Sequence, residues 1–200
     1  MKQALLIIDM QNGFLNPASP LWIRDAQKTV PACARVIQAC RQNGIPVIFV
    51  NRAYRPDGSD VELTRYDVWA AGGKPLLPGS TGPLSVENPP EFGRTDTDYE
   101  IIKPRYSAFF QTSLDLLLRR LGIDTLLLTG TTTPNCIRTT CYDAISLDYR
   151  VTVVSDCCSS NTEAIQQANL LDMRNIGAEI ILSDGLLRTF SSTAPPPGAA

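Results

Sequence analysis

Six strand-length apolar runs punctuate the chain, and their spacing constrains the fold more than any other feature. They are "ALLIIDM" (4–10), "IPVIFVN" (45–51), "YEIIKP" (99–104), "DTLLLTG" (124–130), "RVTVVSD" (150–156) and "AEIILS" (178–183). Helical patterns lie between most of them. In 28–43, Thr29 and Pro31 suit a helix start, Val30, Ala34 and Ile37 recur at helical spacing, and Gly44 suits the stop. Further helices are predicted over 112–122, closed by Gly122, over 135–148 and over 161–176. Strands alternating with helices argue for a parallel sheet covered on both faces. Right-handed crossovers then leave few topologies. The expected fold is α/β: a three-layer α/β/α sandwich around a mainly parallel, six-stranded sheet, in one domain spanning 1–190. Residues 52–98 break the pattern, being rich in Gly, Pro, Asp and Ser. So long a connection in a compact domain is usually functional. It is expected to form a lid or pocket wall, with a short helix near Glu62–Trp69. The tail "STAPPPGAA" is low in complexity, and disorder is expected over 191–200.

The totals narrow the function. The chain has 200 residues, 44% hydrophobic and 19% charged, with a formal net charge of -2. Such a balance gives no basic face for nucleic acid. No apolar run approaches bilayer length, so no membrane partner is expected. The opening "MKQALLIIDMQNGF" has too short an apolar core for a signal peptide, and Asp9 interrupts it. It reads as a first strand, and a cytoplasmic location is expected. Six cysteines are present without a CxxC pair, and a chain this long does not need disulfide staples. No spacing suits a zinc site, so neither metal nor cofactor is expected. The most informative total is zero histidines. It removes Ser-His-Asp and Cys-His mechanisms, so a cysteine nucleophile would need another base.

In a parallel sheet, the carboxyl ends of the strands share one edge, and ligands bind there. Asp9, Lys103 and Cys136 each follow an apolar run and would meet at that edge. Taken singly, each has a plain structural reading: a loop carboxylate, a solvated charge, a core thiol. Together they make a chemical set. A free thiol ionises near pH ~8.5. A nearby ammonium and a helix amino end both favour the thiolate. Asp9 could accept the thiol proton and deliver it to a leaving amine. The threonine run 131–133 sits where backbone N–H groups could hold an oxyanion, though it also reads as a simple turn with a helix cap.

Three stretches carry a resemblance: "ALLIIDMQNGFL", "IIKPRYSAFFQTSLDLLL" and "LLLTGTTTPNCIRTTCYDAISLDYRVTVVSDCCSS". With "DGSDVELTR" they cover nearly the whole chain, and it resembles the isochorismatase-like cysteine hydrolases. The resemblance implies a Rossmann-like sheet and an Asp-Lys-Cys triad on Asp9, Lys103 and Cys136. It also implies a cis peptide at Thr131–Thr132, with the backbone N–H groups of Thr132 and Cys136 as oxyanion donors. The nicotinamidases of this family bind a metal through an Asp and two His, a site this histidine-free chain lacks. Its enol-ether hydrolases do without a cysteine nucleophile. The expected function is therefore cleavage of a C–N bond in a small carboxamide, ureide or N-carbamoyl compound, through a thioester. Two alternatives stand: an enol-ether hydrolase using Asp9 as general acid, and a non-catalytic thiol-bearing binding module. The substrate is expected to be a small molecule, and the resemblance implies a homo-oligomer, dimer or tetramer. Arg52 or Arg55 could grip a substrate carboxylate, or be solvated loop charges. Phe14 and Tyr106 are the favoured apolar walls, ahead of Trp69 and Phe110. Arg138 could point at ligand or pack outward.

Overall fold

The structure, a computed structural model, describes residues 1–193. Its strands are β1 (Gln3–Ile8), β2 (Val47–Asn51), β3 (Tyr99–Ile102), β4 (Thr125–Thr131), β5 (Arg150–Ser159) and β6 (Glu179–Ile181). Every pairing is parallel, in the order β3-β2-β1-β4-β5-β6. The helices are α1 (Asn12–Leu15), α2 (Ala26–Gln42), α3 (Tyr66–Ala71), α4 (Leu114–Leu121), α5 (Arg138–Ser146), α6 (Glu163–Asn175) and α7 (Ser183–Thr193).

The alternation of side chains along each strand builds the three layers. Ala4, Leu6 and Ile8 of β1 face Leu114 and Leu118 of α4, Cys141 and Ala144 of α5, and Leu170 and Met173 of α6. Leu5 and Ile7 face the other way, toward Val30, Cys33, Ile37 and Cys40 of α2. Each leucine, isoleucine, valine or methionine among them, fully removed from water, contributes about 1.5–3 kcal/mol. That explains why the central strands are near-continuous apolar runs. A third, smaller cluster of Phe14, Tyr54, Val61, Trp69 and Leu76 gives the long connection its own core.

Several boundaries differ from the sequence reading. The helix expected near 62–69 begins at Tyr66 and ends at Ala71. β5 runs on to Ser159, and that extension docks the threonine turn. The expected helix over 135–148 is preceded by a single π-helical turn, Thr133–Ile137, so α5 itself begins at Arg138. Pro134 removes one N–H donor there and helps divert the hydrogen-bond pattern. α7 is a helix the sequence reading did not include, although Leu186 and Phe190 recur at helical spacing and pack in the α2 core. Asp156 caps it, accepting from the Ser183 N–H at 2.7 Å and hydroxyl at 2.6 Å. The helix reaches Thr193, and the tail expected to be disordered otherwise lies outside the described residues. Among the described residues, no helix is long and apolar enough to cross a membrane.

Candidate active site

Three strands deliver the reactive groups to one edge. Ile8 ends β1, paired with Val50 on one side and Gly130 on the other. Asp9 follows at φ 54°, a left-handed conformation that Asp tolerates better than branched residues do. Its N–H donates to the Val50 carbonyl at 2.9 Å, continuing the ladder for one residue. Lys103 follows β3, tied through its N–H to the Asn51 carbonyl at 2.9 Å. β2 separates β3 from β1, so about 10 Å lies between their backbones. A long side chain is needed to close that gap. Lysine does so: its Nζ lies 2.8 Å from Asp9 Oδ2 and donates to Cys136 Sγ at 3.5 Å. It also donates to the Arg105 carbonyl at 3.0 Å. The structure thus brings Asp9, Lys103 and Cys136 together, all buried.

The turn carrying Cys136 is held by side chains. The hydroxyls of Thr132 and Thr133 donate to the Ser159 carbonyl at 3.2 and 3.1 Å. The Ser159 hydroxyl donates to Thr131 Oγ1 at 3.0 Å. The Thr131–Thr132 peptide is cis. Thr131, Thr132, Asn135 and Cys136 form one wall of a cavity of about 220 Å³ that also reaches Asp9.

Burial, followed by the Asp9 carboxylate, pushes the Cys136 thiol up. Lys103 and Arg52 pull the other way without reversing the direction. A thiolate poised by the lysine was the expectation from sequence. A water-excluded site beside a carboxylate instead favours the neutral thiol. Asp9 is suited to take that proton. Its carboxylate meets the Lys103 ammonium at 2.8 Å and the Cys136 thiol itself.

The expected ligand contacts fare differently. Phe14 lines the cavity. Arg52 does not. Its guanidinium pairs with Glu62 in the interior and donates to the Arg105 carbonyl at 2.8 Å. Most of its donor fork is taken by protein acceptors, while its Nε has no partner among the described residues. Arg55 is an exposed partner of Asp57. Arg138 turns outward, donating to Asp172 Oδ2 at 2.7 Å on the surface of α6. Tyr106 is half-buried beneath the guanidinium groups of Arg52 and Arg65 rather than lining the cavity. Trp69 is fully buried, its indole N–H donating to the Pro75 carbonyl at 2.9 Å, and Phe110 is exposed.

Two contributors were missed. Pro20, Leu21, Trp22 and Ile23, from the short link between α1 and α2, also line the cavity. Arg65, from the long connection, also borders the cavity. The link has no periodicity that would announce it; the long connection was expected as a pocket wall, but Arg65 was not singled out within it. The run "PLWI" was the one available signal, four apolar-rich residues with no strand or helix to serve.

Residues 3–185 match the isochorismatase domain. The chain belongs to the isochorismatase family. A relative of this isochorismatase-family hydrolase, the probable inactive nicotinamidase of Arabidopsis thaliana, is 41% identical over 180 residues, 88% of this chain and 90% of that protein. The crystal structure of an isochorismatase family protein from Desulfovibrio vulgaris superposes with a TM-score of 0.88 at 39% identity, covering 95% of this chain and 98% of that one. The N-carbamoylsarcosine amidase of Thermoplasma acidophilum superposes with a TM-score of 0.76 at 33% identity, covering 92% and 98%.

Proposed function

We propose that the chain is a cysteine amidohydrolase that cleaves a C–N bond in a small carboxamide, ureide or N-carbamoyl substrate. The observation that carries this reading is the contact of one ammonium with both a buried carboxylate and a buried thiol, at 2.8 and 3.5 Å, beside a small cavity. Likeness to an N-carbamoylsarcosine amidase supports the bond type. The identity shared with a protein named a probable inactive nicotinamidase turns the reading away from nicotinamide.

The proposed chemistry follows from the protonation states. As Cys136 Sγ attacks the substrate carbonyl, its proton passes to Asp9 and an oxyanion forms. Backbone N–H groups of Thr132 and Cys136 are the proposed donors to it. The oxyanion collapses, the C–N bond breaks, and Asp9 returns the proton to the departing nitrogen. A thioester remains on Cys136. Water then attacks it, Asp9 takes a proton, the C–S bond breaks and the thiol is restored. Lys103 holds the Asp9 carboxylate in place and lowers the cost of negative charge on sulfur.

The test is ammonia release from a panel of small carboxamides, ureides and N-carbamoyl compounds. The Cys136→Ala variant is expected to lose turnover by roughly 10⁴-fold or more. Rapid quench of the wild type should add the substrate acyl mass to the peptide bearing Cys136. An alanine variant that keeps its rate would assign the chemistry to Asp9 alone, as in enol-ether hydrolysis.

A further inference from the structure

We infer that Arg65 is the specificity residue of this site and takes an anionic group of the substrate, a carboxylate above all. The inference rests on the amidohydrolase reading and adds the charge of the substrate to it. Arg65 borders the same small cavity as Asp9 and Cys136. Its guanidinium is oriented but underused. It lies over the Tyr106 ring, 5.6 Å from the centroid, and donates to the Tyr54 hydroxyl at 3.2 Å. No other side chain or carbonyl among the described residues takes a hydrogen bond from it. Glu62 stands 4.0 Å from it, beyond hydrogen-bond reach, because the closer claim on that carboxylate is Arg52. Tyr54 occupies its second oxygen, donating to Oε2 at 2.8 Å. A guanidinium presents five N–H donors in a planar fork matched to a carboxylate. Here the side chain is 21% exposed, so part of that fork is open.

The charge count points the same way. Arg52, Arg65 and Lys103 are positive, while Asp9 and Glu62 are negative. With Cys136 a neutral thiol, the site carries one positive charge in excess. In a water-poor cavity that excess favours an anion. The volume, about 220 Å³, admits a compact molecule. It lies below the ~300–1,000 Å³ usual for drug-sized ligands. Together these select a short acid bearing an amide or carbamoyl group at its far end.

The experiment compares pairs that differ in charge and little in shape: succinamate against butyramide, and N-carbamoylglycine against propylurea. Wild-type kcat/KM should favour the anionic member at least tenfold. In Arg65→Met that ratio should fall at least tenfold, chiefly through KM of the anion. Arg65→Lys, which keeps charge without the fork, should keep part of the preference. It also serves if the methionine variant does not fold. Succinamate binding to both enzymes is measured alongside by calorimetry. Cleavage of both members without preference, or a preference that survives in Arg65→Met or is untouched in Arg65→Lys, would overturn the assignment of Arg65. An enzyme that cleaves neither pair, yet binds succinamate through Arg65, keeps the anion site and overturns the amidohydrolase reading. One that neither binds nor cleaves overturns both.

Discussion

Asp9 has two opposed effects on Cys136, and they separate chemistry from reactivity. Its carboxylate helps hold the thiol protonated, second only to burial, and in the proposed cycle it is also the acceptor of that proton. Replacing it with Asn removes a negative charge beside sulfur while leaving Lys103, 3.5 Å away, to pull the thiol down. Asp9→Asn should therefore label faster than wild type with a small neutral alkylating agent at pH 7–8, at Cys136, as read by peptide mass. Its turnover should fall by about 10²–10⁴-fold, the usual worth of a general base. Slower labelling together with lost turnover would mean that Asp9 assists ionisation in the resting enzyme. The sequence placed Asp9, Lys103 and Cys136 at one sheet edge because each follows an apolar run. It could not weigh burial against charge, which needs three dimensions. Arg52 and Arg65 show the same boundary. Position after a strand marked Arg52, but Glu62, ten residues on, is what neutralises it.

The parallel pairing of β1 with β4 sets the spacing of the site, and one residue limits it. Gly130 pairs with Ile8 and Cys158, next to a register shift in the ladder between β4 and β5. Its φ is 119°, and a Cβ there would stand 2.1 Å from the Ile8 carbonyl oxygen. That atom is backbone, so the strands themselves would have to part. Gly130→Ala should cost at least ~2 kcal/mol from the unfavourable backbone conformation alone. For a domain of this size that is a melting temperature lower by about 4–8 °C. Because Asp9 and Thr131 each follow one of the displaced residues, kcat should drop even at temperatures where the variant is folded. An alanine variant that melts with wild type would show that the close approach is not required. The glycine's place in the loop was legible from sequence, yet the neighbouring strand that makes it obligatory was not. The walls of the cavity were less legible still. The link at 20–23 has no periodicity, and its apolar residues find a role only once the sheet edge beneath them exists.

The six-stranded parallel sheet was readable because a strand buried on both faces leaves an unbroken apolar run, whereas β6 and β3, at the edges, are short and partly exposed. The same double burial encloses all six cysteines, and it couples the stability of the molecule to alkaline pH. Burial pushes the thiols of Cys40 and Cys141 up to about 12, aided at Cys141 by Asp172, and it raises Cys136 and Cys158 as well. An unfolded chain would ionise these groups at ~8.5–9, the ordinary range for a thiol. Between 9 and 12 the unfolded state therefore binds fewer protons than the native state, and stability falls as pH rises. The stabilising contribution is complete below 9 and is lost on the way to 12. Each such thiol contributes up to about 1.4 kcal/mol per pH unit. Urea midpoints should accordingly be flat from pH 7 to 8 and fall steeply from 9 to 10.5. Cys40→Ala, less stable throughout from the lost packing, should fall less steeply because one titrating thiol is gone. Wild-type midpoints that hold constant to pH 10.5 would mean that water reaches these thiols in the native protein. The interior between the sheet and α2, around Cys40, would then be open in a way its complete burial denies.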